Sequence, residues 1–225
     1  MHLVEQASSN FTGRLLQTMY VPAHFANTDE QSAAEWLRLY PFGTLISSDG
    51  GALLATSLPF ILDDRTTNVA VISHMAARNA HAAALEDGQD VLVVVNGPSS
   101  YISPRWYGSP VNVPTWNYVG LQLRGPIELI TDRAGMYEVL ERTANVFEAP
   151  AERPWKLTDA PTDLVERLLG GIVAFRIGPC RMECMEKLSQ NKPADLERIT
   201  RGLSSEGDEL ALAVARLMAG KAASS

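Results

Sequence analysis

The chain has 225 residues, 46% of them apolar and 20% charged, with 19 Lys and Arg against 26 Asp and Glu. The formal net charge of −7 and the lack of any Lys/Arg cluster argue against duplex binding, which needs a basic stripe to displace counterions. The length admits one domain or two small ones and is enough for a sizeable core.

Residues 1–18 are polar and aperiodic, and read as a flexible lead-in to a single domain over 19–225. They lack the basic start and apolar run of a signal peptide. No apolar stretch approaches a membrane span, so a cytoplasmic protein with no membrane partner is expected. Asn27-Thr28-Asp29-Glu30 ahead of Ala33, Ala34, Trp36, Leu37 and Leu39 predicts a capped amphipathic helix ending before Pro41. Two β-type runs flank Asp49-Gly50-Gly51, a hairpin signal because those residues tolerate positive φ. Asn68 to Ser73 reads as a strand, and the Ala-rich stretch from His74 to Leu85 as a helix closed by Asp87-Gly88. Asp90 to Val95 is a buried strand by its continuous apolar run.

Further strands are expected at Ser100–Pro104 and Pro114–Ile130, at Gly171–Ile177 and at Met182–Ser189. Helices are expected at Asp132–Phe147 and Thr162–Leu169, then at Ala194–Gly202 and Glu206–Ala219. Six to eight short strands with inserted helices predict an α+β protein built on an antiparallel barrel. Cys180 and Cys184 read as two buried or half-buried thiols, since a metal would need two more ligands at matched spacing. No Gly-x-Gly-x-x-Gly, P-loop or Gly-x-Ser-x-Gly elbow is present. His2, His24 and His81 have no spacing with carboxylates that suggests a metal site or a triad.

Several side chains invite a chemical reading beside a bland one. His74 ends an apolar run, where a neutral imidazole can ligate haem iron, bond a flavin, or simply satisfy nearby backbone. Arg78 is expected to share a helix face with His74, and a guanidinium there suits a phosphate or propionate; the alternative is an exposed helix arginine. Trp106, Tyr107, Trp116 and Tyr118 gather within thirteen positions, as a stacking wall or as core. Lys187 to Lys192 form a polar run at a strand end, either site or solvated turn before Pro193.

Seven blocks in order resemble the PaiB-type family, known as FMN-binding negative transcriptional regulators. They are Met19-Tyr20-Val21-Pro22 with His24-Phe25, Phe42-Gly43-Thr44-Leu45, His74-Met75-Ala76 with Asn79, and Gly97-Pro98. Tyr101-Ile102-Ser103-Pro104 with Trp106-Tyr107, Val113 to Tyr118, and Lys187-Leu188-Ser189-Gln190-Asn191 complete the set, which spans Met19 to about Gly202. The resemblance implies an antiparallel split β-barrel of the FMN-binding type with peripheral and C-terminal helices. It also implies a homodimer with the cofactor site at the subunit interface, acting on a small-molecule substrate.

In the FMN reading that follows, the chain is a redox protein. His74 and Lys187 are its catalytic candidates, and Arg78 and Lys187 take the phosphate. Ser57, Asn79, Trp116, Asn117 and Gln190 complete the cofactor set. The sequence departs from the family pattern at Ser57, where Ala-Thr-His-Leu-Pro is common, and at Ala80, where proline often follows the asparagine. A branch of this family, the piperazate synthases, uses haem to close N5-hydroxyornithine through an N–N bond. In that alternative the cofactor is haem b and His74 ligates its iron. A transcriptional regulator without catalysis is the third reading, which the acidic charge disfavours.

Overall fold

The structure is a computed structural model that describes residues 19–205 and 208–223. The segment 1–18 expected as a lead-in, with His2, lies outside the described residues.

Strand β1 (Ala26–Asn27) precedes helix α1 (Glu30–Leu39). Asp29 caps α1 by accepting from the Gln31 and Ser32 N–H groups, which satisfies donors that a helix start leaves orphaned. The buried face of α1 carries Ala33, Ala34, Trp36 and Leu37, the i, i+3, i+4 stripe expected of a helix docked on a core. Strands β2 (Phe42–Asp49) and β3 (Ala52–Pro59) form the predicted hairpin, with Asp49 opposite Ala52. Gly50 and Gly51 turn the chain at φ 54° and 95°, which side chains rarely tolerate.

After β4 (Ile61–Leu62), strand β5 covers Val71–Ala76 and helix α2 only Ala80–Ala83. This corrects the helix expected from His74 to Leu85. His74 lies in β5 opposite Ala174, so the ladder takes the start of that segment and Asn79 caps the single turn that remains. Arg78 therefore does not share a helix face with His74. Strand β6 runs unbroken over Asp90–Ile102, absorbing the separate strand expected at Ser100. Strand β7 follows at Thr115–Ile130. Helices α3 (Arg133–Glu148) and α4 (Thr162–Leu169), strands β8 (Ile172–Ile177) and β9 (Arg181–Lys187), and helices α5 (Leu196–Ser205) and α6 (Glu209–Ala223) complete the chain.

The described residues form two compact units. In the unit of residues 28–97 and 123–182, strands run in the order β3-β2-β6-β7-β8-β5-β4. Registered pairs here are antiparallel, among them Ile46 with Leu92 and Leu129 with Phe175. Ile61, Ile72 and Ala174 pack beneath Val139 of α3. Asp63, with a side chain 1% exposed, holds Arg142, Arg176 and Arg65 at 2.8–2.9 Å. Burial pushes its carboxyl up, and the three guanidiniums outweigh that, holding it well below the usual carboxylate range.

In the other unit, residues 19–27, 98–122 and 183–223, β1 pairs antiparallel with β9. Helices α5 and α6 close a core of Ile199, Leu203, Val214 and Met218 with Ile102 and Leu188. Gly202 lies against the Trp106 indole, and a Cβ there would collide with the ring. The buried Glu186 accepts from Asn27 at 2.6 Å and pairs with Lys221 at 2.6 Å. Among the described residues no helix is long and apolar enough to cross a membrane.

Candidate functional site

In the first of these units the polar residues converge on His81, which is 2% exposed. Its Nε2 lies 2.9 Å from Ser47 Oγ and its Nδ1 lies 2.8 Å from Thr56 Oγ1. Asn79 donates to the same Thr56 oxygen at 3.2 Å and accepts from the His81 N–H at 3.0 Å. Burial lowers the His81 pKa, so the ring is neutral, one nitrogen donating and the other accepting. The β2–β3 ladder places Ser47 and Thr56, and the Asn79 cap fixes the backbone of His81.

His74 is the second feature of this unit. Its ring is half-buried on the face of β5 that also carries Ile72. Burial lowers its pKa, and its buried Nδ1 has no hydrogen-bond partner among the described residues. An orphaned buried nitrogen costs free energy unless something outside the chain meets it. Ser57 is exposed and lies opposite Thr44 in the hairpin, and Arg78 is exposed ahead of α2.

In the other unit, alternation along β7 sends Thr115 and Asn117 to one face and Trp116 to the other. Thr115 and Asn117 line a cavity of about 240 Å³ with Phe25, Tyr107, Lys187 and Ser189. Lys187 Nζ donates to Thr115 Oγ1 at 2.6 Å and lies 5.9 Å from the centre of the Phe25 ring. Asn117, 0% exposed, exchanges hydrogen bonds with Ser189. Gln190 closes the turn after β9, accepting from the Leu188 N–H at 2.7 Å and donating to the Glu186 carbonyl. Trp116 faces a wider cavity of about 570 Å³ with Tyr101, Ser100 and Arg105. Its indole meets Tyr101 edge-on at 6.3 Å.

Of the residues singled out in the sequence, the structure gathers Lys187 with Asn117 on one cavity and ties Asn79 into the His81 network. Trp116 lies on the opposite face of its strand from Asn117, and Ser57, Arg78 and Gln190 line none of these cavities. Sequence reasoning set His81 aside for want of carboxylate spacing and passed over Ser47 and Thr56, of which only Thr56 adjoins a residue it singled out, Ser57. Cys180 precedes β9 and Cys184 lies within it, both as free thiols. Among the described residues no cluster of His, Cys, Asp and Glu is arranged to hold a metal ion.

An antiparallel sheet with peripheral helices is the architecture of a split-barrel protein. Residues 19–179 match the family described as "Putative FMN-binding domain", and the chain belongs to that family, in its PaiB-type branch. The "Protease synthase and sporulation protein PAI 2" of Bacillus subtilis is 30% identical, over 90% of this chain and 98% of that protein. An uncharacterized protein of Aspergillus fumigatus is 28% identical over 88% and 95% of the two chains. Among solved structures, the flavocytochrome Anf3 of Azotobacter vinelandii shares the fold at a TM-score of 0.54 and 20% identity, covering 74% of this chain and 72% of that one.

The donor set fits FMN. A neutral imidazole with a free Nδ1 suits the hydrogen-bonding edge of an isoalloxazine ring, and exposed Arg78 and Ser57 offer donors of the kind a phosphate takes.

Proposed function

We propose that this chain is an FMN-dependent redox protein, working as a homodimer whose cofactor site is completed by the second copy. FMN is the cofactor that the family assignment supports; when bound it supplies two-electron chemistry that no side chain here can provide. His74 holds the ring edge through Nδ1, while Asn79, locked to Thr56, keeps the backbone after β5 in place for Arg78. The observation that carries the reading is the buried, partnerless Nδ1 of His74 inside the matched segment.

The dimer is supported by surface chemistry. Trp116 and Tyr101 leave about half their surface in solvent, at 54% and 45%, and aromatic residues of this kind are enriched at interfaces. The purified protein is expected to show flavin bands in the near-UV and blue and to sediment as twice the chain mass. A colourless protein that takes up no FMN on reconstitution would defeat the reading.

The same nitrogen supports a second reading, haem ligation in an enzyme of the piperazate synthase type. Neutral histidine is a common axial ligand of haem iron. A Soret band lost in His74→Ala would establish that reading in place of the flavin.

A further inference from the structure

The cavity around Lys187 is lined by two ammoniums, amides and hydroxyls. Its lining residues include Lys187 and Lys192 with the amides Asn112, Asn117 and Asn191 and the hydroxyls Thr115 and Ser189, and contain no carboxylate. Neither lysine has a carboxylate within ion-pair distance among the described residues. Each ammonium instead rests on neutral partners: Lys187 on Thr115 Oγ1 at 2.6 Å, and Lys192 on Asn112 Oδ1 at 3.2 Å. The two ammoniums also lie 5.9 Å and 5.7 Å from the ring centres of Phe25 and Tyr107. An ammonium carries three donors, so each keeps capacity for an oxyanion. Two acids of this unit have partners of their own. Asp195 Oδ1 accepts from the Gly108 N–H at 2.8 Å, and Glu186 is taken by Asn27 and Lys221.

In a chain of net charge −7, two lysines gathered without acids mark a local exception with a chemical preference. Ser189 adds a shaped wall. Its backbone sits at φ 63°, a left-handed conformation that a non-glycine residue holds only when its surroundings fix it, and the bonds to buried Asn117 do so.

We propose that the Lys187–Lys192 cavity is an anion-binding site, taking the carboxylate or phosphate group of a small organic acid. Lys187 and Lys192 are then its anion-binding residues, and Asn117 and Ser189 position the wall.

The test is calorimetric titration of the FMN-loaded protein with pyruvate and with inorganic phosphate, using acetamide as the neutral control. Saturable binding of either anion is expected, weakening as ionic strength rises, with no binding of acetamide. Lys192→Gln, exposed and outside the core, is expected to weaken binding about tenfold, and Lys187→Gln with Lys192→Gln to abolish it. Flavin absorbance of each variant is read in parallel and is expected to be unchanged. Loss of FMN binding with riboflavin binding retained would make the cavity the seat of the cofactor's phosphate and overturn the proposal. So would anion binding that is absent from the wild type, or equal in the lysine variants. A protein that takes no FMN at all, yet still binds anions through these lysines, would sink the flavin reading and leave the anion site standing.

Discussion

The Asn117 amide and the Ser189 hydroxyl, 72 positions apart in sequence, exchange hydrogen bonds of 2.9 and 3.1 Å in a fully buried site. That pair joins β7 to the turn after β9 and holds Ser189 at positive φ. Removing one partner strands the other in the interior, at about 1–3 kcal/mol. Ser189→Ala loses the bonds and keeps the strain, so its melting temperature should fall by about 2–4 °C per kcal/mol lost. Ser189→Gly, which relieves the strain, should fall less. Equal melting temperatures for Ser189→Ala and wild type would show that the pair does not hold the turn.

His74 and His81 give the stability a pH dependence with a definite sign. Burial lowers the pKa of both rings from the ordinary 6.5, so near and below that value the unfolded chain binds protons that the folded chain refuses. Stability then rises with pH wherever the unfolded state is the more protonated. Thermal unfolding should therefore show stability falling as pH drops from about 7 toward 5, a window set by the unfolded histidine value. His81→Asn should flatten the slope. A melting temperature that climbs on acidification through this range would contradict the burial of both rings as neutral groups.

Asp63 anchors three arginines, and its loss leaves Arg142 and Arg176, both more than four-fifths buried, with only the solvent-facing carboxylates of Asp64, Glu138 and Glu128 as counter-charges. Breaking a buried pair from one side typically costs about 3–5 kcal/mol. Asp63→Asn should lower the urea midpoint strongly, and Asp64→Asn, whose side chain is 85% exposed, should barely change it. Its depressed carboxyl stabilises the fold above the ordinary carboxylate pKa of 3.8, and that stability is lost as pH falls.

Both cysteines are held as inert thiols. Burial pushes Cys180 up to about 12, against a small opposing pull from Arg176. Burial and then Glu186 push Cys184 up to about 12, with Lys221 opposing. The thiolate is the reacting species, so a thiol-specific reagent at pH 8 should label the folded protein far more slowly than the urea-unfolded one. Rapid labelling of the native protein would refute this burial.

Much of the fold was legible where local chemistry and tertiary demand agree. The Asp29 cap with its apolar stripe, the Asp49-Gly50-Gly51 hairpin, and the long helix after Asp132 each followed from residues next to one another in sequence. The stretch from His74 to Leu85 failed because its alanines favour helix while β8 offers a ladder, and pairing of His74 with Ala174 decided the outcome. The candidate site was legible only in part. Lys187 and Asn117 fall together because the paired strands β9 and β7 bring them there. The Ser47–His81–Thr56 bridge joins residues 34 and 25 positions apart, contacts that no local spacing reveals.

The central claim is that this chain carries FMN through a site that includes His74. The most direct measurement is titration of FMN with flavin-free protein, following quenching of flavin fluorescence, for the wild type and for His74→Ala. The account predicts saturation at one FMN per chain with tight binding, and affinity weakened about tenfold or more in the variant, the worth of one buried hydrogen bond to a charge-bearing or polar ring edge. Unquenched fluorescence with the wild type, or a Soret band that forms on adding haem and vanishes in His74→Ala, would contradict it.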